Sequence, residues 1–406
     1  MSADEDPNAE NPNAENPIDW EPATKLIRGG IERTRYGETS EPIFLTQSFV
    51  YQTAEAADAR FAGSEPGFVY TRYGNPTTLA FEERLALLDG AEYCRSFASG
   101  MAAIHMAIMG LVKAGDHIVA GKALFGSCRW ILSHWAPRFG VETTLVDAPD
   151  LDQWRAAMRP NTRCVLIETP ANPLLELTDI AAVSEMAHAV GAKVVVDNVF
   201  ATPLFQQPLR LGADVVAYSA TKHIDGGGRV LGGALLGSKA LLEDAFRDLI
   251  RHTGPALSPF NAWVLLKGLE SLDLRVRRQA ETATALADLI AEHPKTKRAF
   301  YPFRADHAQY ELARRQMSGG GTVVAFDLGG RAEAFNFLNA LRIVDISNNL
   351  GDAKSMATHP ATTTHRSMTE EQRLEVGVTE GCVRLSVGLE GARDLARDIG
   401  RALDAA

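Results

Sequence analysis

"AKVVVDNVF" (192–200) and "DVVAYSATK" (214–222) are short apolar runs rich in β-branched residues. Their apolar residues are continuous rather than alternating. A strand buried on both faces reads this way, because neither face has to meet water. "CVLIETP" (164–170) is a third run of the same kind. Helical patterns separate such runs. From Thr178 to Val190, the apolar Ile180, Val183, Met186, Ala187 and Val190 share one face, and Gly191 closes the segment. Upstream, a helix opens at Asn75-Pro76 with proline in its first turn and stops at Gly90. Alternating strands and helices predict an α/β fold: a parallel sheet covered by helices on both sides. Ligands of such sheets sit beyond the carboxyl ends of the strands. Further on, the region 255–275 reads as one long connecting helix. "GGTVVAFDL" (320–328) and "CVRLSVGLE" (382–390) then read as strands of a smaller α+β domain beginning near residue 257.

Composition narrows the function classes. The 406 residues are 46% hydrophobic, enough for a large core and more than one simple domain holds. With 41 basic and 51 acidic residues the formal charge is −10, which offers no basic face to a nucleic acid. No apolar run approaches the roughly 20 residues of a membrane span. The acidic, polar start does not read as a signal peptide, so a cytoplasmic location is expected. Cys94, Cys128, Cys164 and Cys382 have no CxxC spacing and read as ordinary buried thiols. HExxH and GxxxxGK[ST] are both missing, so no metal and no nucleotide triphosphate is expected. "PNAENPNAENP" (7–17) repeats a five-residue unit without an apolar anchor and reads, within 1–23, as a flexible tail.

Asp197 ends the buried "VVVD" run, and Lys222 ends the next predicted strand. If those strands are neighbours, the two side chains share one crevice. An amine and a carboxylate placed so suit pyridoxal phosphate: the lysine bonds the cofactor's aldehyde, and the carboxylate keeps the pyridine nitrogen protonated. A buried ion pair, or two unrelated loop residues, would look the same. Phosphate sites strengthen the cofactor reading. "SFASGMAAIHMAIMGLVKAG" (96–115) turns helical after Ser99, so the amides of Gly100 and Met101 face outward at a helix start. A plain serine cap is the simpler alternative there. Ser219 and Thr221, beside Lys222, are further phosphate donors. Glycines 226–228 let the chain turn away after the lysine.

With these residues in place, the chain resembles the Cys/Met-metabolism family of pyridoxal-phosphate enzymes. The resemblance rests on "YTRYGNPT" (70–77), "FASGMAA" (97–103), "ETPANP" (168–173), "VVVDN" (194–198), "YSATKHIDGGGRVLGG" (218–233), "LGDAKSMATHPATTTH" (350–365) and "VRLSVGLE" (383–390). It runs from about residue 24 to the C-terminus. It implies the aspartate-aminotransferase-like fold, type I among pyridoxal-phosphate enzymes. The arrangement would be an N-terminal arm over 24–70, a cofactor-binding domain over 71–256 and a C-terminal α+β domain over 257–406. It also implies a homotetramer built from two catalytic dimers, acting on a small amino-acid substrate. Residue by residue, it makes Lys222 the Schiff-base lysine and Asp197 the partner of the pyridine nitrogen. Gly100, Met101, Ser219 and Thr221 become phosphate ligands. Tyr70 and Arg72 become ligands of the neighbouring subunit's cofactor. Asn172 lies near the cofactor's 3′ oxygen, and Arg384 holds the substrate α-carboxylate, a task suited to a guanidinium.

Three departures from the family's usual pattern bear on the reaction. A ring-stacking tyrosine is replaced by Phe125, a cysteine two residues on by Ser127, and a serine before "LGD" by Asn349. Phenylalanine can stack but cannot carry a proton. These stretches resemble most the branch that exchanges the succinyl group of O-succinylhomoserine for sulfide. The alternatives are a cystathionine γ-synthase with cysteine as nucleophile, an O-acetyl ester substrate, or a γ-lyase. A nicotinamide-dependent enzyme is disfavoured, since no G-x-G-x-x-G follows a first strand.

Overall fold

A computed structural model describes residues 16–406, so most of the predicted tail lies outside the described residues. Within that tail, Pro17–Asp19 form a 3-10 turn, and the helix Pro22–Arg28 follows.

Twelve strands fall into two sheets among the described residues. They are β1 (Tyr93–Phe97), β2 (His117–Gly121), β3 (Glu142–Val146), β4 (Thr162–Glu168), β5 (Lys193–Asp197), β6 (Val215–Tyr218), β7 (Gly233–Gly237), β8 (Arg298–Phe300), β9 (Val323–Asp327), β10 (Asp345–Ile346), β11 (Met356–Thr358) and β12 (Cys382–Ser386). The larger sheet has seven strands in the order β1-β7-β6-β5-β4-β2-β3. Its strands β3, β2, β4, β5 and β6 pair in parallel, while β7 pairs antiparallel to both β6 and β1.

The doubly buried strands follow from their composition. In β5, Val195 faces a core shared with Ile104, Ala107 and Ile108 of the helix Gly100–Leu111. Its neighbours Val194 and Val196 face the opposite layer, with Ile180, Val183 and Ala187 of the helix Ile180–Ala189. Side chains of a strand alternate between faces, so two helical layers demand apolar residues at every position. The predicted face of that second helix is the one that packs. Asp179 caps it, and the helix begins at Ile180, two residues after the expected start.

Two expectations need correction. The connecting helix is two helices, Pro259–Leu269 and Leu272–Glu292, broken at Glu270 and Ser271. The first packs on the helix Pro76–Asp89. The second shares Leu272 and Val276 with that layer and carries Leu286 and Ile290 to the smaller sheet. Second, β6 stops at Tyr218, so Lys222 lies in a turn four residues past the strand rather than on it. The chain folds back there: Thr221 N–H donates to the Gly232 carbonyl, and Gly226 N–H to the Lys222 carbonyl. Gly226 and Gly228 take φ of +62° and +66°, the left-handed region that favours glycine.

The smaller sheet runs β10-β11-β12-β9-β8, largely antiparallel. All four cysteines are free and buried. No helix among the described residues is long and apolar enough to cross a membrane.

Candidate active site

The site begins with two carboxylates that end adjacent strands. Asp197 closes β5 and Glu168 closes β4, and the two are register partners across the parallel pair. Asp197 Oδ1 accepts from Val199 N–H at 3.1 Å. Burial raises the pKa of both, and the negative charge of Asp197 raises Glu168 further.

Lys222 reaches the same crevice from the turn after β6. Its Nζ donates to Asn349 Oδ1 at 2.6 Å. Burial, helped by the positive charge of Arg384, lowers this amine to a pKa of about 8. Arg384, on β12 and 2% exposed, comes from the smaller sheet. Its Nη1 donates to Asn172 Oδ1 at 2.9 Å and its Nη2 to the Asn348 carbonyl at 2.8 Å. Its Nε is buried without a hydrogen-bond partner.

The helix Gly100–Leu111 points its N-terminus at the turn after β6. Ser99 caps it by accepting from Ala102 N–H. A Cβ on Gly100 would stand 2.6 Å from Ser219 Cβ, and one on Gly233 would stand 2.2 Å from the Ser99 carbonyl oxygen. Two glycines therefore let the helix start, Ser219 and β7 come together. The free amides of that start and the Ser219 hydroxyl make a cradle for an anion.

Gly100, Met101, Phe125, Asn172, Asp197, Ser219, Lys222 and Arg384 all line one cavity. Thr221 and Asn349 line an adjoining hollow that shares Lys222 and Asn348 with it. The Thr221 hydroxyl is engaged with the backbone, donating to the Gly232 carbonyl and accepting its N–H. Tyr70 and Arg72 line neither space. Arg72 donates to the Arg251 carbonyl of its own chain, and its guanidinium lies 4.9 Å from the Tyr73 ring centre. The cavity also holds residues not singled out from sequence: Glu168, Val199, Phe200, Asn348, Leu350 and Thr364. For Glu168 the signal was present, since "CVLIE" ends a buried apolar run with a carboxylate just as "VVVD" does. Asn348 and Thr364 carry no such mark.

The model for the Cys/Met metabolism PLP-dependent enzymes matches residues 23–404. The chain belongs to that family. It is 53% identical over 386 residues to O-succinylhomoserine sulfhydrylase of Mycobacterium tuberculosis, covering 94% of this chain and 95% of the relative. The O-succinylhomoserine sulfhydrylase of Pseudomonas aeruginosa is 47% identical over 383 residues, with the same coverages. The L-methionine gamma-lyase of Treponema denticola is 43% identical over 386 residues, covering 94% and 96%. Among solved structures, metB of Corynebacterium glutamicum superposes with a TM-score of 0.91 at 34% identity, covering 96% of this chain and 99% of that one. A putative O-acetylhomoserine (thiol)-lyase of Campylobacter jejuni, containing N'-pyridoxyl-lysine-5'-monophosphate, also has a TM-score of 0.91, at 29% identity, covering 95% and 100%.

The protein is thus a pyridoxal-phosphate enzyme of the type I fold. The residues fit that cofactor: an amine with a lowered pKa, a carboxylate at the cavity floor, an anion cradle at a helix start and an unpaired guanidinium donor. The last suits a second anion, such as an amino-acid carboxylate.

Proposed function

We propose that the enzyme exchanges the succinyl group of O-succinyl-L-homoserine for sulfide, releasing L-homocysteine and succinate. The observation that carries this reading is the near full-length similarity to two proteins of that name. Phe125 in the cavity supports it. The adjoining hollow is lined by Lys222, Asn349 and Arg229, whose guanidinium is paired with the Asp225 carboxylate.

Bound pyridoxal phosphate supplies an electron sink for charge developing at the substrate α-carbon. The chain's own residues supply the rest. The amides of Gly100 and Met101 and the hydroxyl of Ser219 would hold the phosphate, with Thr221 beside them. Asp197 would hold the pyridine nitrogen, accepting its hydrogen bond. Phe125 would cover the ring, and Asn172 would serve its 3′ oxygen. Arg384 binds the substrate α-carboxylate through donors that a lysine would not offer in the same plane. Lys222 would hold the cofactor through its amine and, as a neutral amine, would take the substrate α-proton. Its lowered pKa puts it in range for that task near pH 8. Phe125 has no hydroxyl, so proton movement falls to Lys222, steadied by Asn349.

We also propose that the active form is a homotetramer of catalytic dimers in which Tyr70 and Arg72 serve the neighbouring site. The arm before them supports this: Tyr36, Leu45, Val50 and Phe61 are exposed, Val50 at 94%. Apolar side chains so placed favour a second copy as cover.

The test is a substrate-pair assay. Purified enzyme is given O-succinylhomoserine with sulfide or with cysteine, O-acetylhomoserine with sulfide, and methionine alone. Homocysteine from the succinyl ester and sulfide is expected to form fastest. Faster cystathionine formation would make the enzyme a cystathionine γ-synthase. Abundant 2-oxobutanoate without any nucleophile would make it a γ-lyase, the reading favoured by the 43% identity to an L-methionine gamma-lyase.

A further inference from the structure

Glu168 has no place in the mechanism above, yet its carboxylate touches two residues that do. Its Oε2 accepts from the Phe125 N–H at 2.6 Å, and its Oε1 accepts from the Asn172 N–H at 2.8 Å. Phe125 opens the short helix Gly126–Trp130 in the loop after β2, and Asn172 lies in the loop after β4. Asn172 Oδ1 in turn holds Arg384 Nη1 at 2.9 Å. One side chain, 6% exposed, therefore joins the ring cover to the carboxylate clamp across two loops and two sheets.

Placing it there is costly. A buried carboxylate loses its hydration, and Asp197 stands beside it as register partner on β5. A neutral side chain would fill the space with less penalty. A carboxylate, however, offers two acceptor oxygens in one rigid plane, and here each meets a different amide. An amide side chain would offer one acceptor, and its NH₂ would oppose the second N–H.

We infer that Glu168 is a positioning residue that holds the Phe125 cover and the Asn172–Arg384 clamp in a fixed relation to each other. This rests on the roles proposed above for Phe125 and Arg384.

The experiment uses cofactor-loaded enzyme and two readouts other than turnover. One is the visible circular dichroism of bound pyridoxal phosphate, which reports how rigidly the ring is enclosed. The other is the affinity for L-norvaline, which has the α-carboxylate but no leaving group, followed by absorbance. Glu168→Ala is expected to lose half or more of the dichroic band and to weaken norvaline binding about tenfold or more, as loss of a buried acceptor of two amides implies. Glu168→Gln keeps one acceptor and falls between. If Glu168→Ala does not fold, Glu168→Gln decides. Wild-type values of both readouts in the Glu168 variants would overturn the proposal, even with a lowered melting temperature. So would a change in one readout without the other. Neither measurement uses the ester or sulfide, so a wrong substrate in the assay above leaves this result standing.

Discussion

Lys222 is set apart from surface lysines by what surrounds its amine. Burial and the nearby Arg384 charge lower its pKa to about 8 from the ordinary 10.5. The neutral amine attacks an aldehyde, and below its pKa the neutral fraction falls about tenfold per pH unit. The rate at which cofactor-free enzyme takes up pyridoxal phosphate should therefore rise with pH to about 8 and then level off. Stopped-flow absorbance would check this. A rate still climbing toward pH 10.5 would mean a solvated amine. The sign for folding is the opposite of a salt-bridged lysine. The unfolded chain holds this proton more tightly, so the site opposes folding below pH 8, and stability recovers as pH rises toward 10.5. Arg384 and Asn349 belong to the same scale. Their chemistry is legible in the sequence as residue types. That they meet Asn172 and Lys222 depends on segments 127 or more residues apart.

Between residue and fold stand the elements, and here the helix Gly100–Leu111 decides most. Its start can serve a phosphate because Gly100 and Gly233 have no side chains to hold Ser219 and β7 away. Gly100→Ala would put a Cβ 2.6 Å from Ser219 Cβ and force the helix start outward. Overpacking of this kind costs about 1–3 kcal/mol. The variant is expected to fold while binding pyridoxal phosphate at least about tenfold more weakly, as equilibrium dialysis would measure. Binding at wild-type strength would show that these amides do not hold the phosphate. Elements with a strong apolar period, such as Ile180–Ala189, were legible nearly to the residue. The two helices over 259–292 were not separable, because nothing in composition marks Glu270 and Ser271. Arg275 donates to the Ser271 hydroxyl and to the Gly268 carbonyl, contacts visible only after folding.

At the scale of the whole molecule, Tyr70 and Arg72 stand apart from the cavity. Neither reaches the cavity of its own chain, while the exposed apolar side chains before them favour docking on a second copy. Mixing two inactive variants, Lys222→Ala and Arg72→Ala, provides the test. Random pairing gives mixed dimers with one site free of both changes, so about a quarter of wild-type activity should return after the subunits are exchanged. No return of activity would place Arg72 at its own subunit's site or in a structural role.

The sequence by itself determined the alternation of doubly buried strands and helices, and with it the carboxyl-end crevice. It also pointed to the cofactor, through motifs that resemble the Cys/Met-metabolism family; Asp197 and Lys222 alone left a buried ion pair open. Only the tertiary structure decided how these pieces meet. It placed Lys222 in a turn beyond β6, brought Arg384 from the smaller sheet onto Asn172, and put Glu168 between Phe125 and Asn172. The physical reason is range. A strand or helix start is encoded within a few residues, whereas hydrogen bonds between loops and sheets form between residues that share no sequence neighbourhood. Their partners are chosen by packing of the whole chain.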